Sequence, residues 1–231
     1  MKMFFYLPEA KSMKELCDRL KERRYLKTDS VYNAMIQVDR TDFTAINPYE
    51  DSPQPINYNV TISAPHMHAY CLELLKNHLK EGGRALDVGF GSGYLTVAMS
   101  KMIGDKGVVV GIEHIKELCD FAKKNISKNH KHLLDSKNLI LIEGDGREGY
   151  SECAPYNCIH VGAAAETIPP ALVEQLANGG RLVIPVGHQG DPQYITIVDK
   201  DSNGKISTRR ELEVSYVPLT SVKNQLGGYW K

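Results

Sequence analysis

The sequence predicts an α/β protein built on a doubly wound, mostly parallel sheet, and three observations carry that reading. Short apolar runs at residues 84–88, 108–112, 139–142, 158–161 and 181–185 alternate with segments of helical periodicity, which places helices on both faces of a parallel sheet. The first run ends in Asp87-Val88 and opens into Gly89-Phe90-Gly91-Ser92-Gly93 before an amphipathic helix. Such a turn lets a ligand approach the backbone at a helix N-terminus. Two later runs, 193–198 and 206–216, flank Asp201-Ser202-Asn203-Gly204, a turn that suits an antiparallel pair at the carboxy-terminal end.

A chain of 231 residues can bury a sizeable core. It is expected to form a single domain over 1–231, in which 1–60 is an amino-terminal helical and loop extension. Residues 61–231 then supply the cofactor-binding core and the carboxy-terminal elements on the substrate side. Lys and Arg number 28, as do Asp and Glu, so bulk charge draws the chain neither to nucleic acid nor to anionic membrane. The five cysteines (Cys17, Cys71, Cys119, Cys153 and Cys158) are scattered without metal-ligand spacing, as in proteins that keep their thiols reduced. The apolar opening is too short for a signal segment, and no run approaches the ~20 apolar residues of a membrane span. A cytoplasmic location is the expectation.

Taken in order, Met13, Leu16, Cys17 and Leu20 predict a helix over 12–23, with Ser12 and Glu15 as a capping box. Val31, Ala34, Met35 and Val38 repeat the pattern after Thr28, Asp29 and Ser30. Prolines and turn formers make 47–59 a loop. Pro65 suits the first turn of a helix whose apolar face continues through Tyr70, Cys71, Leu74 and Leu75, which leaves Ser63 as either a helix cap or a site residue. After the Gly82-Gly83 break come the strand 84–88, a helix over 94–102, the strand 108–112 closed by Glu113, and a helix marked by Ile115, Leu118, Cys119 and Ala122. Residues 125–137 are polar and read as an exposed extension. The strand 139–142 is closed by 143–147, the strand 158–161 runs into Gly162, a helix covers 170–176, and the strand 181–185 follows the Gly179-Gly180 turn.

Ligands of such sheets bind beyond the carboxyl ends of the strands, which selects 87–93, Glu113, Asp145-Gly146 and 160–163. Tyr94 stands where a dinucleotide fingerprint has its third glycine, which disfavours a nicotinamide or flavin site. A carboxylate at Glu113 can accept from both hydroxyls of a ribose, and Asp145 or its neighbouring backbone can read an adenine amine. Asp87, Glu113 and Asp145 together fit a ligand with an amine, a diol and an adenine but no phosphate, which is S-adenosyl-L-methionine. Glu113 taken alone could also be an ordinary strand-end surface acid, a reading that the joint pattern disfavours. His66 and His68 are two apart and point in different directions on a helix, so no metal is expected.

Longer motifs narrow the reading. Asn47-Pro48-Tyr49 with Asp51-Ser52-Pro53-Gln54, the run from Thr61 to Tyr70 containing Ile62-Ser63-Ala64-Pro65, Gly144-Asp145-Gly146-Arg147, His160-Val161-Gly162-Ala163 and Tyr216-Val217-Pro218-Leu219-Thr220 resemble the protein-L-isoaspartate O-methyltransferase family over nearly the whole chain. The resemblance implies a Rossmann-like fold of the S-adenosylmethionine-dependent methyltransferase type. It also implies methyl transfer to the free α-carboxylate of L-isoaspartyl residues in damaged proteins and peptides, with D-aspartyl residues as a second candidate acceptor. S-adenosyl-L-homocysteine is then the product, and repair proceeds through a succinimide.

By the same resemblance Ser63 is the catalytic residue, beside the reacting carboxylate. The cofactor set is Ile62, Ser63, Ala64, Pro65, His68, Asp87, Val88, Gly89, Gly91, Ser92, Gly93, Glu113, Asp145, Gly146, Thr220 and Gln225. Ile62, Ser63, Ala64, His160, Val161 and Gly162 line the peptide channel. The family also implies a monomer without nucleic-acid or membrane partners. Three departures stand out: Phe90 replaces a small hydroxyl residue, Glu113 replaces the commoner Asp, and Glu166 follows Ala165 where proline is frequent. The competing readings are a nucleic-acid or small-molecule methyltransferase on the same scaffold, a member that binds without catalysing, and a nicotinamide dehydrogenase. The first lacks the expected acid or amide followed by Pro-Pro and an aromatic after the fourth strand.

Overall fold

Residues 10–227 are described by the computed structural model, and the apolar opening of the sequence lies outside them. The elements in chain order are α1 (Met13–Glu22), α2 (Asp29–Ile36), β1 (Gln54–Pro55), β2 (Thr61–Ile62), α3 (Pro65–Leu75), β3 (Arg84–Val88), α4 (Tyr94–Ile103), β4 (Val108–Glu113) and α5 (Lys116–Asn129). They continue with α6 (Lys131–Asp135), β5 (Leu139–Glu143), β6 (Tyr156–Val161), α7 (Pro170–Glu174), β7 (Leu176–Val186), β8 (Gln193–Lys200), β9 (Ile206–Val214) and α8 (Val222–Leu226).

One seven-stranded sheet in the order β5-β4-β3-β6-β7-β8-β9 carries the fold, and β1 pairs with β2 in a separate antiparallel ribbon. Strands β3 to β7 are parallel, while β8 runs antiparallel to both β7 and β9. Alternation within the parallel strands feeds two cores. Ala85, Val109, Cys158 and Val183 face the cluster that includes α1 to α5, and Leu86, Val110, Ile159 and Leu182 face the cluster under α7. Full burial of each such aliphatic side chain contributes about 1.5–3 kcal/mol, and covering both faces is what a parallel sheet requires. The strand order reverses between β3 and β6, where Asp87 stands in register beside His160. A switch of this kind opens a crevice at the carboxyl ends of the strands.

Ser12 caps α1 by accepting the Glu15 N–H at 3.2 Å, but the Glu15 carboxylate reaches back to the Lys11 N–H rather than to Ser12. The predicted box is therefore half formed and displaced by one residue. Thr28 precedes α2 without capping it through its side chain. Glu73, from α3, takes the Lys27 and Thr28 N–H groups at 2.6 and 2.7 Å instead. The loop expected over 47–59 contains β1 and most of its connection to β2, which holds Asn57, Tyr58 and Asn59 at positive φ.

Residues 125–137 are largely exposed, as their polarity suggested, but they also carry part of the core. Helix α5 continues to Asn129, and Asn125, Ile126, His130 and Leu133 are buried. Asn125 is polar because it donates from Nδ2 to the Ser92 carbonyl at 3.2 Å beneath the glycine turn. The helix expected over 170–176 ends at Glu174, and β7 starts at Leu176, passing through Gly179 and Gly180. Backbone pairing with β6 at Tyr156 draws Leu176 into the sheet. Strand β9 is exposed along almost its whole length, and its middle reads Arg209-Arg210-Glu211-Leu212-Glu213.

Candidate active site

The turn after β3 is built from backbone. Gly89, Gly91 and Gly93 all have positive φ, at +74°, +50° and +87°. The Gly89 N–H donates to the Ile112 carbonyl at 2.8 Å, and the Gly93 N–H donates to the Phe90 carbonyl at 2.8 Å. Gly93 caps α4 in the left-handed conformation, and a Cβ there would stand 3.0 Å from Ile126 Cδ1. Phe90 points into a small cluster with Cys119 and Ala122. A Cβ at Gly111 would lie 2.7 Å from the Phe90 ring, so the bulky residue in this turn depends on glycine across from it in β4.

Glu113 ends β4, buried, with three backbone N–H groups on its carboxylate: Gly91 at 3.2 Å, His114 at 2.8 Å and Ile115 at 3.3 Å. Burial raises its pKa, against the lowering effects of His114 and those N–H groups. A carboxylate has about four acceptor positions, so one remains for a ligand hydroxyl. Glu113 lines a cavity of about 40 Å³ with Val88, Gly89, Gly146, Thr220 and Gln225 from the expected cofactor set and Gly162 from the expected peptide set. A Cβ at Gly146 would come within 2.4 Å of Val88 Cγ1, so glycine is needed for backbone to form this wall. The floor of glycine backbone and the Glu113 carboxylate suit a neutral nucleoside with a free diol. The roof is the strap 217–220 and α8, where Gln225 accepts at Oε1 from His114 Nε2 at 2.7 Å and donates from Nε2 to the Tyr58 carbonyl at 3.2 Å.

Other expected residues lie away from that cavity. Asp87 is buried, its carboxylate taken by the Thr96 hydroxyl at 2.7 Å and by His160 Nδ1 at 2.8 Å, so it braces the base of the turn rather than facing the ligand space. Asp145 caps the following turn and is clasped by Arg147, whose hydrogen bonds hold its pKa down; its neighbour Gly146 lines the cavity in its place. Gly91, Ser92 and Gly93 stand behind the wall and shape it. Burial alone would depress His160, but the Asp87 carboxylate and the Cys71 thiol raise its pKa to about 10, so the ring is an imidazolium at neutral pH.

Ser63 follows the β1-β2 ribbon, and α3 begins two residues later. The N-cap is Ala64, which offers no side-chain acceptor, so Ser63 is not the helix cap. Pro65 needs no partner at the first position, and the next N–H, from His66, is taken by the Asp51 carboxylate at 2.9 Å. This explains why Asp51 belongs to the motif. The Ser63 carbonyl accepts from Arg40 Nη2 at 3.2 Å. The Tyr216 hydroxyl interacts with the Ser63 hydroxyl and the Cys71 thiol, and burial first, then Cys71, raises its pKa. Ile62, Ala64, Pro65, His68 and Val161 are buried around this segment. His68 stacks on Tyr94 with ring centroids 4.9 Å apart and meets Arg40 through Nδ1.

Arg40, Cys71, Thr96 and Tyr216 take part in this arrangement without having stood out as site residues in the sequence. Thr96 lies in the predicted helix after the glycine turn, Cys71 on the apolar face of a predicted helix and Tyr216 at the end of the last predicted strand, while Arg40 lies between the second predicted helix and the 47–59 loop. Only the presence of Tyr216 in a motif pointed toward a role.

Comparison with known proteins gives a consistent result. The family model described as protein-L-isoaspartate(D-aspartate) O-methyltransferase matches residues 11–224. A protein-L-isoaspartate O-methyltransferase of Caenorhabditis elegans is 53% identical over 211 residues, covering 91% of this chain and 93% of that protein. Protein-L-isoaspartate O-methyltransferase 1 of Arabidopsis thaliana is 48% identical over 231 residues, covering 99% and 100%. A Plasmodium falciparum structure described as a protein-L-isoaspartate O-methyltransferase in complex with S-adenosyl-L-homocysteine superposes with a TM-score of 0.86 at 38% identity, covering 91% of this chain and 99% of that one.

Proposed function

Because the chain belongs to the protein-L-isoaspartate(D-aspartate) O-methyltransferase family, we propose that its two site regions divide the family's reaction between them. The cavity beside Glu113, at about 40 Å³ too small for a whole nucleoside, marks where the ribose meets the protein, and the Ser63 segment holds the acceptor carboxylate. The enzyme transfers a methyl group from S-adenosyl-L-methionine to isoaspartyl residues of damaged proteins and so begins their repair. The observation that carries the division is the meeting of Val88, Gly89, Glu113, Gly146, Thr220 and Gln225 around one cavity while Ser63 stands outside it.

The cofactor supplies an electrophilic methyl group on a sulfonium. An acceptor carboxylate has an ordinary pKa near ~4 and is already deprotonated at neutral pH, so the protein need not remove a proton. Its task is to align the anion with the methyl carbon and to exclude water. Ser63 does this by donating its hydroxyl to the acceptor carboxylate. Glu113 accepts from the ribose, and the turn 89–93 sets the depth at which the nucleoside rests. Asp145 acts through the placement of Gly146, and Asp87 acts through the turn above it. His160, Val161 and Gly162 border the acceptor peptide. His68 faces the amino-acid end of the cofactor, and Thr220 with Gln225 closes over the nucleoside.

We further infer that residues 1–231 form one domain, supported by a core cluster that joins Met13 and Leu16 of α1 to Val183 of β7. The chain acts as a cytoplasmic monomer and without nucleic-acid partners, the last supported by its equal acidic and basic residues. Among the described residues no helix is long and apolar enough to cross a membrane. The decisive experiment is transfer of labelled methyl groups to a short isoaspartyl peptide with its aspartyl isomer as control. Base-labile label on the isoaspartyl form alone is expected, and equal labelling of both would overturn the specificity.

A further inference from the structure

Arg40 is fully buried, although a guanidinium keeps its charge in any protein environment. Its hydrogen bonds all go to neutral acceptors. Nε donates to the Pro48 carbonyl at 2.9 Å, Nη2 to the Ser63 carbonyl at 3.2 Å, and Nη1 faces His68 Nδ1 at 3.2 Å. The Tyr94 ring lies 5.1 Å from the guanidinium carbon. Among the described residues no carboxylate forms an ion pair with it, and Asp51 acts on it only at longer range. A buried cation without a counter-charge costs several kcal/mol unless something else compensates it.

Arg40 also decides the state of His68. A guanidinium can only donate, so Nδ1 of His68 must accept, and the ring proton stands on Nε2. Burial, followed by the Arg40 charge, keeps His68 well below its ordinary pKa, so the ring is neutral. Stacking on Tyr94 fixes its plane. Nε2 forms no hydrogen bond among the described residues. The segment 63–68 thus carries a hydroxyl and a fixed imidazole N–H, both tied from behind to one buried cation.

We propose that Arg40 is a positioning residue for a ligand carboxylate: it pins the Ser63 carbonyl and locks His68 as an Nε2–H donor, and the bound carboxylate supplies the negative charge that Arg40 lacks. The inference rests on the reading that Ser63 and His68 belong to the methyl-transfer site. Two carboxylates can fill the role, that of the cofactor's amino-acid end or that of the isoaspartyl acceptor.

The test compares the wild-type protein with Arg40→Gln and Arg40→Lys. Calorimetry measures S-adenosyl-L-homocysteine against 5′-methylthioadenosine, which has the same nucleoside and sulfur but no amino-acid end. Steady-state kinetics measures KM and kcat for an isoaspartyl peptide at saturating cofactor. If the cofactor carboxylate is the ligand, Arg40→Gln weakens S-adenosyl-L-homocysteine about 10-fold or more and leaves 5′-methylthioadenosine within about twofold. If the acceptor carboxylate is the ligand, the peptide KM rises by a similar factor and both nucleosides bind as before. Arg40→Lys, which keeps the charge and loses the fork, recovers part of either loss. Nitrogen NMR of wild-type His68 should show the neutral Nε2–H tautomer from pH 5 to 8, independently of any variant and of any methyl acceptor. An Nδ1–H tautomer, ordinary titration of His68, or parallel loss of both nucleosides and thermal stability without a change in the peptide KM would overturn the proposal. So would variants that bind and turn over like the wild type.

Discussion

The turn at 89–93 and the segment at 62–65, proposed above to share one reaction, are held by different means. The turn closes on itself through backbone hydrogen bonds to Phe90 and to the adjacent strand at Ile112, and its shape depends on residues that lack side chains. The Ser63 segment is held by side chains from elsewhere: Arg40 on the Ser63 carbonyl, Asp51 on the start of α3, and Tyr216 beside the hydroxyl. The backbone cradle resists drift because its closing bonds, Gly89 to Ile112 and Gly93 to Phe90, belong to the sheet and to the turn itself, with the Glu113 and Asn125 side chains added at Gly91 and Ser92. A side-chain frame can place a single hydroxyl finely, but it fails one tie at a time. Between the two lies the buried Asp87–His160 pair, which joins the strand under the turn to β6 beside it.

The largest effect is expected at that junction. Asp87→Asn removes the charge opposite a buried imidazolium, and loss of one partner of such a pair costs about 3–5 kcal/mol. Thermal denaturation at neutral pH measures it, and a loss smaller than that of the glycine variant below would break the assignment of Asp87 as the brace. The sign of the pH dependence follows from His160, whose pKa is raised from 6.5 to about 10. A group raised on folding contributes its full stability below pH 6.5 and loses it as pH climbs through about 10. Wild-type stability should therefore fall across that window, and the slope should flatten in Asp87→Asn.

Next comes Ser63→Ala. Removing a donor aimed at the reacting carboxylate is expected to lower kcat about 100-fold, with S-adenosyl-L-homocysteine affinity and melting temperature nearly unchanged. Unaltered turnover would remove Ser63 from the chemistry. The smallest of the three is Gly93→Ala. Its positive φ costs a non-glycine residue about 1–2 kcal/mol, and the added Cβ crowds Ile126 at 3.0 Å. The expected pattern is the reverse of that for Ser63: lower melting temperature and weaker cofactor binding, with kcat at saturation close to the wild type. If both variants lost the same quantity, the distinction between backbone cradle and side-chain frame would collapse.

The two regions also differ in how far the sequence revealed them. The parallel strands, the glycine turn and the position of Glu113 were legible because each depends on neighbours within one β-α-β unit. Periodicity and glycine spacing report on such neighbours. Arg40 was not legible, since its partners Ser63 and His68 lie 23 and 28 residues away and nothing local marks a buried cation. The continuation of α5 was missed for a related reason: Asn125 looks like surface until its carbonyl partner at Ser92 is seen. Asp87 was legible as important, while the direction of its carboxylate was not. Its partners come from α4 and β6, and no local pattern orders those two contacts.

Strand β9 carries a consequence of another kind. An enzyme that acts on other polypeptides repeatedly meets loose chain segments able to add themselves to an open sheet edge. The seventh strand offers such an edge, yet Arg209, Arg210, Glu211 and Glu213 line its middle, and the ladder with β8 slips between Tyr194 and Thr196. Charge and irregular register both discourage edge-to-edge pairing. The protein can therefore handle ageing clients at the crevice without being recruited into their aggregates along its flank.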